Sequence, residues 1–357
     1  MIMRYNEAAK LRYEWDTKTG QPVNILAIES SCDETAAAVV QNGRVILSSV
    51  IASQIATHQQ FGGVVPEVAS RVHVESITRV VEEALQEAKL TLADLHAVAV
   101  TYAPGLIGAL FVGVTAAKSY AQALGIPLIG VHHLAGHMAA AHLSEGVDPP
   151  FLALVVSGGH TELLKVETGG VMTRLGQTRD DAAGEAFDKI ARALALGYPG
   201  GPAIQKAAEA GNPQAIEFPR AKLPEGSFDF SFSGLKSSVM LYLDRRAKAG
   251  MPVDQADVAA SFQMAVMEAL IDKTRQALKA TGMTTLVLAG GVAANTLLRR
   301  RVGELGGELG VRVVVPPLWL CTDNAAMIGA AAYPRYLQGR LSDLRLTAQA
   351  NLRLEDW

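Results

Sequence analysis

The chain has 357 residues, 49% hydrophobic and 6% aromatic, with a formal net charge of −3; that is too long for one compact core, suits two domains, and supplies the small apolar residues of tight helix-on-sheet packing. No overall basic field exists, so a polyanionic partner must meet a local patch or a second protein. Two distant cysteines, Cys32 and Cys321, exclude a disulfide framework, and the absence of a signal-peptide run or a membrane-spanning stretch points to a cytoplasmic protein with no membrane contact.

Residues 1–22 read as a polar N-terminal extension. Asn24–Glu29 is a short apolar run that ends in the turn "SSCDET", and a second run, Ala36–Val40, follows at once: strand, tight turn, strand. Val68–Leu90 has helical spacing, with Val74, Ile77, Val80, Val81, Ala84 and Leu85 on one face. Ala97–Thr101 reads as a buried strand, "APGLIGAL" as a Gly-rich turn into a helix reaching Ala123, and Pro127–Val131 as another short strand. Phe151–Val156, the turn "SGGH" and Thr161–Val166 repeat the opening plan, which suggests a duplicated α/β domain. Thr285–Ala289 is a strand, "GGVAAN" a turn, Thr296–Leu305 a charged helix and Val311–Val315 a strand. After the loop Pro316–Thr322, an Ala-rich helix over Asn324–Tyr333 is expected to return to the first domain. The expected division is 23–130 plus 324–357 for one domain and 131–323 for the other, with hinges near Val131 and Asp323.

The stretch "VHHLAGHM" places His133 and His137 at i and i+4, one turn apart on a helix face, where two neutral imidazoles can share a transition metal. A hydrolytic reading needs Glu directly after the first His, and Leu134, Ala135 and Gly136 fill that gap instead. Asp323, at a strand-to-helix junction, offers a hard oxygen ligand or simply caps the helix. Cys321 ranks second as a ligand, because a thiolate would close the site. On this reading, imidazoles from one half and a carboxylate from the other converge on one ion. Glu29, Asp33 and Glu34 at the first strand turn can face the metal or phosphates.

Gly158 and Gly159, in "VSGGHTEL", let backbone approach a phosphate, with Ser157, His160 and Thr161 beside them, although an ordinary hairpin turn fits as well. In "AGGVAAN", Gly290 and Gly291 can face a flat base, and Asn295 either caps the next helix or bonds a ligand. Asp180–Ile204 is dense in acids and glycines; Asp181, Glu185 and Asp188 recur at helical spacing, as in any solvated helix, or Asp188 accepts from ligand hydroxyls. "FSFSGLKSS" reads as a hydroxyl-rich turn in which Lys236 can face a phosphate, and Arg299, Arg300 and Arg301, or Arg245, Arg246 and Lys248, can do the same on helix faces.

"IESSCDET", "VHHLAGH", "VSGGHTEL", "GEAFDKIARALALGYPGGP", "FSFSGLKSS", "AGGVAAN" and "CTDNAAMIG", in this order, closely resemble the TsaD (Gcp) family, from about Asn24 to Tyr333. The resemblance implies the fold shared by actin, sugar kinases and heat-shock chaperones (ASKHA): two duplicated α/β domains around a nucleotide cleft. It implies transfer of threonylcarbamoyl from threonylcarbamoyl-AMP to N6 of adenosine 37 in tRNAs reading codons that begin with A, with release of AMP. By the same resemblance, His133, His137 and Asp323 hold a divalent metal, Fe(2+) or Zn(2+). Val156, Ser157, Gly158, Gly159, His160, Asp188, Gly201 and Asn295 contact the adenylate, and a TsaB-like paralogue and a TsaE-like ATPase are partners. Asp33 and Glu34 are the candidates to take the proton from the adenine amine. Competing readings are an ATP phosphotransferase of the same fold, a metallopeptidase, and a non-catalytic nucleotide-binding protein.

Overall fold

The computed structural model describes residues 20–168 and 170–357; the extension read over 1–22 lies, up to position 19, outside the described residues. The chain divides into two compact units. The first runs to His58 and includes Val64–Val147 and Thr322–Trp357; the second comprises Gln59–Gly63 and Asp148–Cys321.

In the first unit, β1 (Asn24–Glu29), β2 (Glu34–Gln41) and β3 (Val45–Ser53) form an antiparallel meander. β1 then pairs in parallel with β4 (Ala97–Ala103), and β4 with β5 (Leu128–His132), giving the order β3-β2-β1-β4-β5. β1 and β5 are wholly buried, and β4 nearly so, so these strands read as unbroken apolar runs rather than alternating ones. Helix α1 (Pro66–Ala88) starts with proline in its first turn, where no N–H is missed, and stops at Lys89 in the left-handed region (φ 55°). It buries Ala69, His73, Ile77, Val80, Val81, Ala84 and Leu85. Val74, expected on that face, is 64% exposed, because the stripe runs through His73 and one residue further on is a rotation of about 100°. Helices α2 (Ile107–Leu124) and α3 (His133–Glu145) follow.

The second unit repeats the wiring. β6 (Phe151–Val156), β7 (Thr161–Val166) and β8 (Met172–Gln177) form the meander, and β6 pairs in parallel with β9 (Thr285–Ala289) and β9 with β10 (Arg312–Val314). Its order, β10-β9-β6-β7-β8, is that of the first sheet strand for strand, so the duplication expected from the two strand–turn–strand units holds. Its helices are α4 (Ala183–Ala193), α5 (Gly200–Ala208), α6 (Ser233–Lys248), α7 (Gln255–Thr281) and α8 (Thr296–Leu309). "FSFSGLKSS", read as a turn, is the start of α6: Asp180 Oδ1 accepts from the Phe232 and Ser233 amides at 2.8 and 3.1 Å and caps it from a distant loop.

The last helix, α9 (Ala325–Leu337), rejoins the first unit as expected. Gly329 lies where a Cβ would stand 2.7 Å from Val40 Cγ2, so the helix backbone rests directly on β2. The structure also moves the boundaries: β5 pairs with β4, residues 131–147 and 322–323, read as second domain, belong to the first unit, and Gln59–Gly63, read as first domain, to the second. Among the described residues no helix is long and apolar enough to cross a membrane.

Gly290, at φ +90°, sits where a Cβ would lie 2.4 Å from the Val156 carbonyl oxygen. Gly290→Ala is expected to destabilise the second unit by about 1–3 kcal/mol, read as a lower urea midpoint at unchanged slope.

Candidate metal centre

Among the described residues, one group of metal-ligating side chains brings its donor atoms within 4.8 Å of one another: His133, His137 and Asp323. All three lie in the first unit. The expectation that the carboxylate comes from the other half is therefore corrected: Asp323 precedes α9, the helix that returns.

Neighbouring side chains position His133 and Asp323. His132, one residue earlier, caps α3: its Nδ1 accepts from the Leu134 amide at 3.2 Å and its Nε2 donates to Leu352 O at 3.0 Å. Burial lowers its pKa to about 4, so it stays neutral in that role. His133 Nδ1 donates to Glu29 Oε2 at 3.0 Å, with Ser31 Oγ 3.2 Å away; this fixes the ring's orientation and turns Nε2 toward Asp323 Oδ1, 3.5 Å off. Glu29 is itself held, accepting from the Ser31 amide and the Thr101 hydroxyl at 2.5 Å each. The capping alternative for Asp323 falls away because Asn324 fills it, accepting from the Met327 amide at 2.9 Å while donating to Thr322 O at 2.8 Å.

His137 supplies the test of fit for a metal. Its Nε2 is 3.2 Å from Asp323 Oδ1, yet both ring nitrogens are fully buried and neither makes a hydrogen bond. Orphaned buried nitrogens are costly. A cation shared by His133 Nε2, His137 Nε2 and Asp323 satisfies this one, and two imidazoles with one carboxylate suit a transition metal with open positions. Electrostatics agree. Burial lowers His133, but Asp323 and Glu29 outweigh it and lift it well above the usual imidazole range. Burial raises Asp323, but His133 and His137 outweigh it and hold the carboxyl far below the usual range.

The acid turn is in the same unit. Glu34 is pushed up to about 9 by burial, by the charges of Asp33 and Asp323 and by a hydrogen bond with Asp33, and its Oε1 accepts from Ser53 Oγ at 2.8 Å. It therefore holds its proton more tightly than an ordinary carboxyl group. Cys321 is no ligand: its thiol donates to Pro316 O at 3.3 Å and accepts from Arg299 Nη2 at 3.0 Å.

In the second unit, the remaining candidates gather at the C-terminal ends of the parallel strands β6 and β9, where ligands bind in α/β sheets. Val156 ends β6, and the turn after it is closed by Ser157 N to His160 O at 2.8 Å; Gly158 and Gly159 stand exposed, with open space where a Cβ would be. Gly184 abuts Ser157 and Gly158, tying α4 to this turn. Asp188 Oδ1 accepts from the Gly200 amide at 2.7 Å and so shapes the "PGGP" loop, in which Gly201 faces open space. Asn295 Oδ1 caps α8 through Leu297 and Leu298, while its Nδ2 donates to Gln263 Oε1 at 2.8 Å. Asp181 and Glu185 pair with Lys189, and Lys236, read as a phosphate contact, donates to Asp181 at 2.6 Å. Arg299 holds Ala293 O and Pro316 O, each at 2.7 Å.

A family model described as TsaD, tRNA N6-adenosine threonylcarbamoyltransferase, matches residues 45–330. Proteins of that name from Moorella thermoacetica and Clostridium botulinum (strain 657 / Type Ba4) are similar to this chain. The first is 58% identical over 93% of this chain and 97% of its own, the second 55% identical over 94% and 98%. Among solved structures, T. kodakarensis HypF superposes with a TM-score of 0.63 at 16% identity, over 90% of this chain and 49% of its own. Component A of the Acidaminococcus fermentans (R)-2-hydroxyglutaryl-CoA dehydratase does so with 0.51 at 16% identity, over 88% and 99%. These likenesses show the ASKHA fold expected from the sequence.

His137→Ala and Asp323→Ala are expected to abolish binding of one divalent ion per chain, and Glu29→Gln to weaken it about 10- to 100-fold, read by metal analysis after dialysis. The raised His133 holds a proton through neutral pH that the metal must displace, so affinity rises with pH and is lost in acid. Calorimetry in buffers of different ionisation enthalpy should record proton release on binding at pH 7; no release contradicts this site.

Proposed function

We propose a chemical route from the premise that the chain belongs to the TsaD family and is a tRNA N6-adenosine threonylcarbamoyltransferase. We take the donor to be threonylcarbamoyl-AMP and the acceptor to be N6 of adenosine 37 in tRNAs reading codons that begin with A. The N6 nitrogen attacks the carbamoyl carbon, the bond from that carbon to the phosphate oxygen breaks, AMP leaves, and one proton is lost from nitrogen. A mixed carbamic–phosphoric anhydride is already activated, so the protein's work is to orient two substrates and keep water out.

We divide this work between named residues. The turn Val156–His160, with Asp188, Gly201 and Asn295 shaping the loops beside it, is the site we assign to the adenylate. Its glycines admit a phosphate to backbone distance, and the Asp188 and Asn295 bonds hold the flanking loops in place. Asp33 is the residue we assign as proton acceptor for the adenine amine; Glu34, protonated and bonded to it, keeps that carboxylate oriented. Bound by His133, His137 and Asp323, Fe(2+) or Zn(2+) supplies positive charge for the oxygens of the donor. What supports this most is the orphaned His137 nitrogen in a buried two-His, one-carboxylate cluster within the unit that carries the acid turn. A TsaB-like paralogue and a TsaE-like ATPase complete the system we envisage, in the cytoplasm with its tRNA.

Incubating the chain and these partners with threonylcarbamoyl-AMP and tRNA should release AMP in step with modified nucleoside. A phosphorylated product instead would overturn the route in favour of a phosphotransferase. Asp33→Asn should lower the rate about 10²- to 10⁴-fold and Glu34→Gln, an isostere of the protonated acid, by less than about tenfold. Full activity in Asp33→Asn removes that residue from the chemistry.

A further inference from the structure

A chain of buried polar side chains runs behind the acid turn. Thr35, Gln54, His58 and His73 are each 2% exposed or less. Their hydrogen bonds admit one assignment of protons. The Val65 amide donates to His58 Nδ1 at 3.3 Å, so the His58 proton is on Nε2 and goes to Gln54 Oε1 at 3.2 Å. The Gln54 carboxamide nitrogen then donates to Ala69 O at 3.3 Å and lies 3.4 Å from His73 Nδ1. His73 Nε2 faces the Cys32 carbonyl at 3.0 Å and must donate to it, which leaves His73 Nδ1 to accept from the Thr35 hydroxyl at 2.7 Å. The Gln54 backbone amide donates to Asp33 O at 3.0 Å.

Two consecutive carbonyls of the acid turn, those of Cys32 and Asp33, thus end on donors from this chain, and the next side chain, Thr35, is bonded to the same imidazole. A turn "SSCDE" has no internal reason to present both carboxyl groups in one direction; its backbone is held from outside. Burial lowers the pKa of His73, in keeping with a neutral ring that accepts and donates at once.

We infer that His73 is a positioning residue for the transfer reaction: through the Cys32 carbonyl and the Thr35 hydroxyl, it sets the direction of the Asp33 and Glu34 carboxyl groups without touching substrate or metal. The inference rests on the proposed role of Asp33. A carboxylate displaced by about 1 Å from a proton in flight loses much of its effect.

The test is kinetic and uses the complete chain and the same partners with threonylcarbamoyl-AMP and tRNA. His73→Phe keeps the ring volume and removes both bonds. It should lower kcat about 10- to 100-fold while KM for tRNA and the metal content stay as in the wild type. His73→Gln, which keeps an N–H donor on the side chain, should recover most of the loss. On an Asp33→Asn background His73→Phe should cost nothing further, since the group it positions is gone. Should His73→Phe fail to fold, Thr35→Val removes the same chain's other donor and is expected to show the same loss confined to kcat. Wild-type kcat in a folded His73→Phe or Thr35→Val protein, or a loss matched by loss of metal, overturns the inference. Full activity in Asp33→Asn alone would instead overturn the assignment on which it rests.

Discussion

The close approach of α3 and α9 is the constraint from which the metal centre follows. Gly136 lies between the two histidines on α3, and a Cβ there would stand 2.6 Å from Ile328 Cδ1 and 3.2 Å from Met327 Cγ on α9. With hydrogen in place of a methyl, the N-terminus of α9 comes near enough for the residue just before its cap to reach both imidazoles. Asn324 takes the capping role and anchors the preceding carbonyl, so the side chain of Asp323 is left to chemistry. Gly136 inside "HLAGH" is therefore a packing requirement: a side chain at that position would separate the helices that make the site.

Charge imposes the second constraint. Glu29, Asp323, Asp33 and Glu34 crowd one buried region, and buried carboxylates are tolerated only with partners. Glu29 and Asp323 are offset by the imidazoles between them, and Glu34 has kept its proton. A divalent cation relieves the same crowding from the centre, which is why this donor set reads as a metal site rather than as a charge-relay pair.

Much of this was legible in the sequence. Strands whose faces are both buried announce themselves as apolar runs, so Asn24–Glu29, Phe151–Val156, Thr161–Val166 and Thr285–Ala289 are read to the residue. The i, i+4 histidines stand out by their spacing, and the structure brings Asp323 beside them. What stayed hidden depends on tertiary partners. β3 and β8 are meander strands of intermediate burial, β3 mixing exposed and half-buried positions with Ser48 and β8 mostly half-exposed, which blurs their periodicity. The start of α6 is capped by Asp180, about fifty residues earlier, so its hydroxyl-rich opening resembles a turn. His73 sits inside an unremarkable helical stripe, and only its neighbours in space reveal it as polar infrastructure rather than a surface residue.

The duplication sharpens the division of labour. The turn between the first two strands of each sheet occupies the same place in the same topology. After β1 it is "SSCDE", two carboxyl groups held from behind; after β6 it is "SGGH", with no carboxylate and no Cβ at its exposed tip. The first turn offers carboxyl groups and the second open backbone, so one scaffold, by changing a handful of turn residues, presents two loops of different chemistry. On the route proposed above, carboxyl groups that favour a cation would disqualify their own turn from cradling phosphate, and duplication would resolve that conflict by giving each task its own copy of the loop.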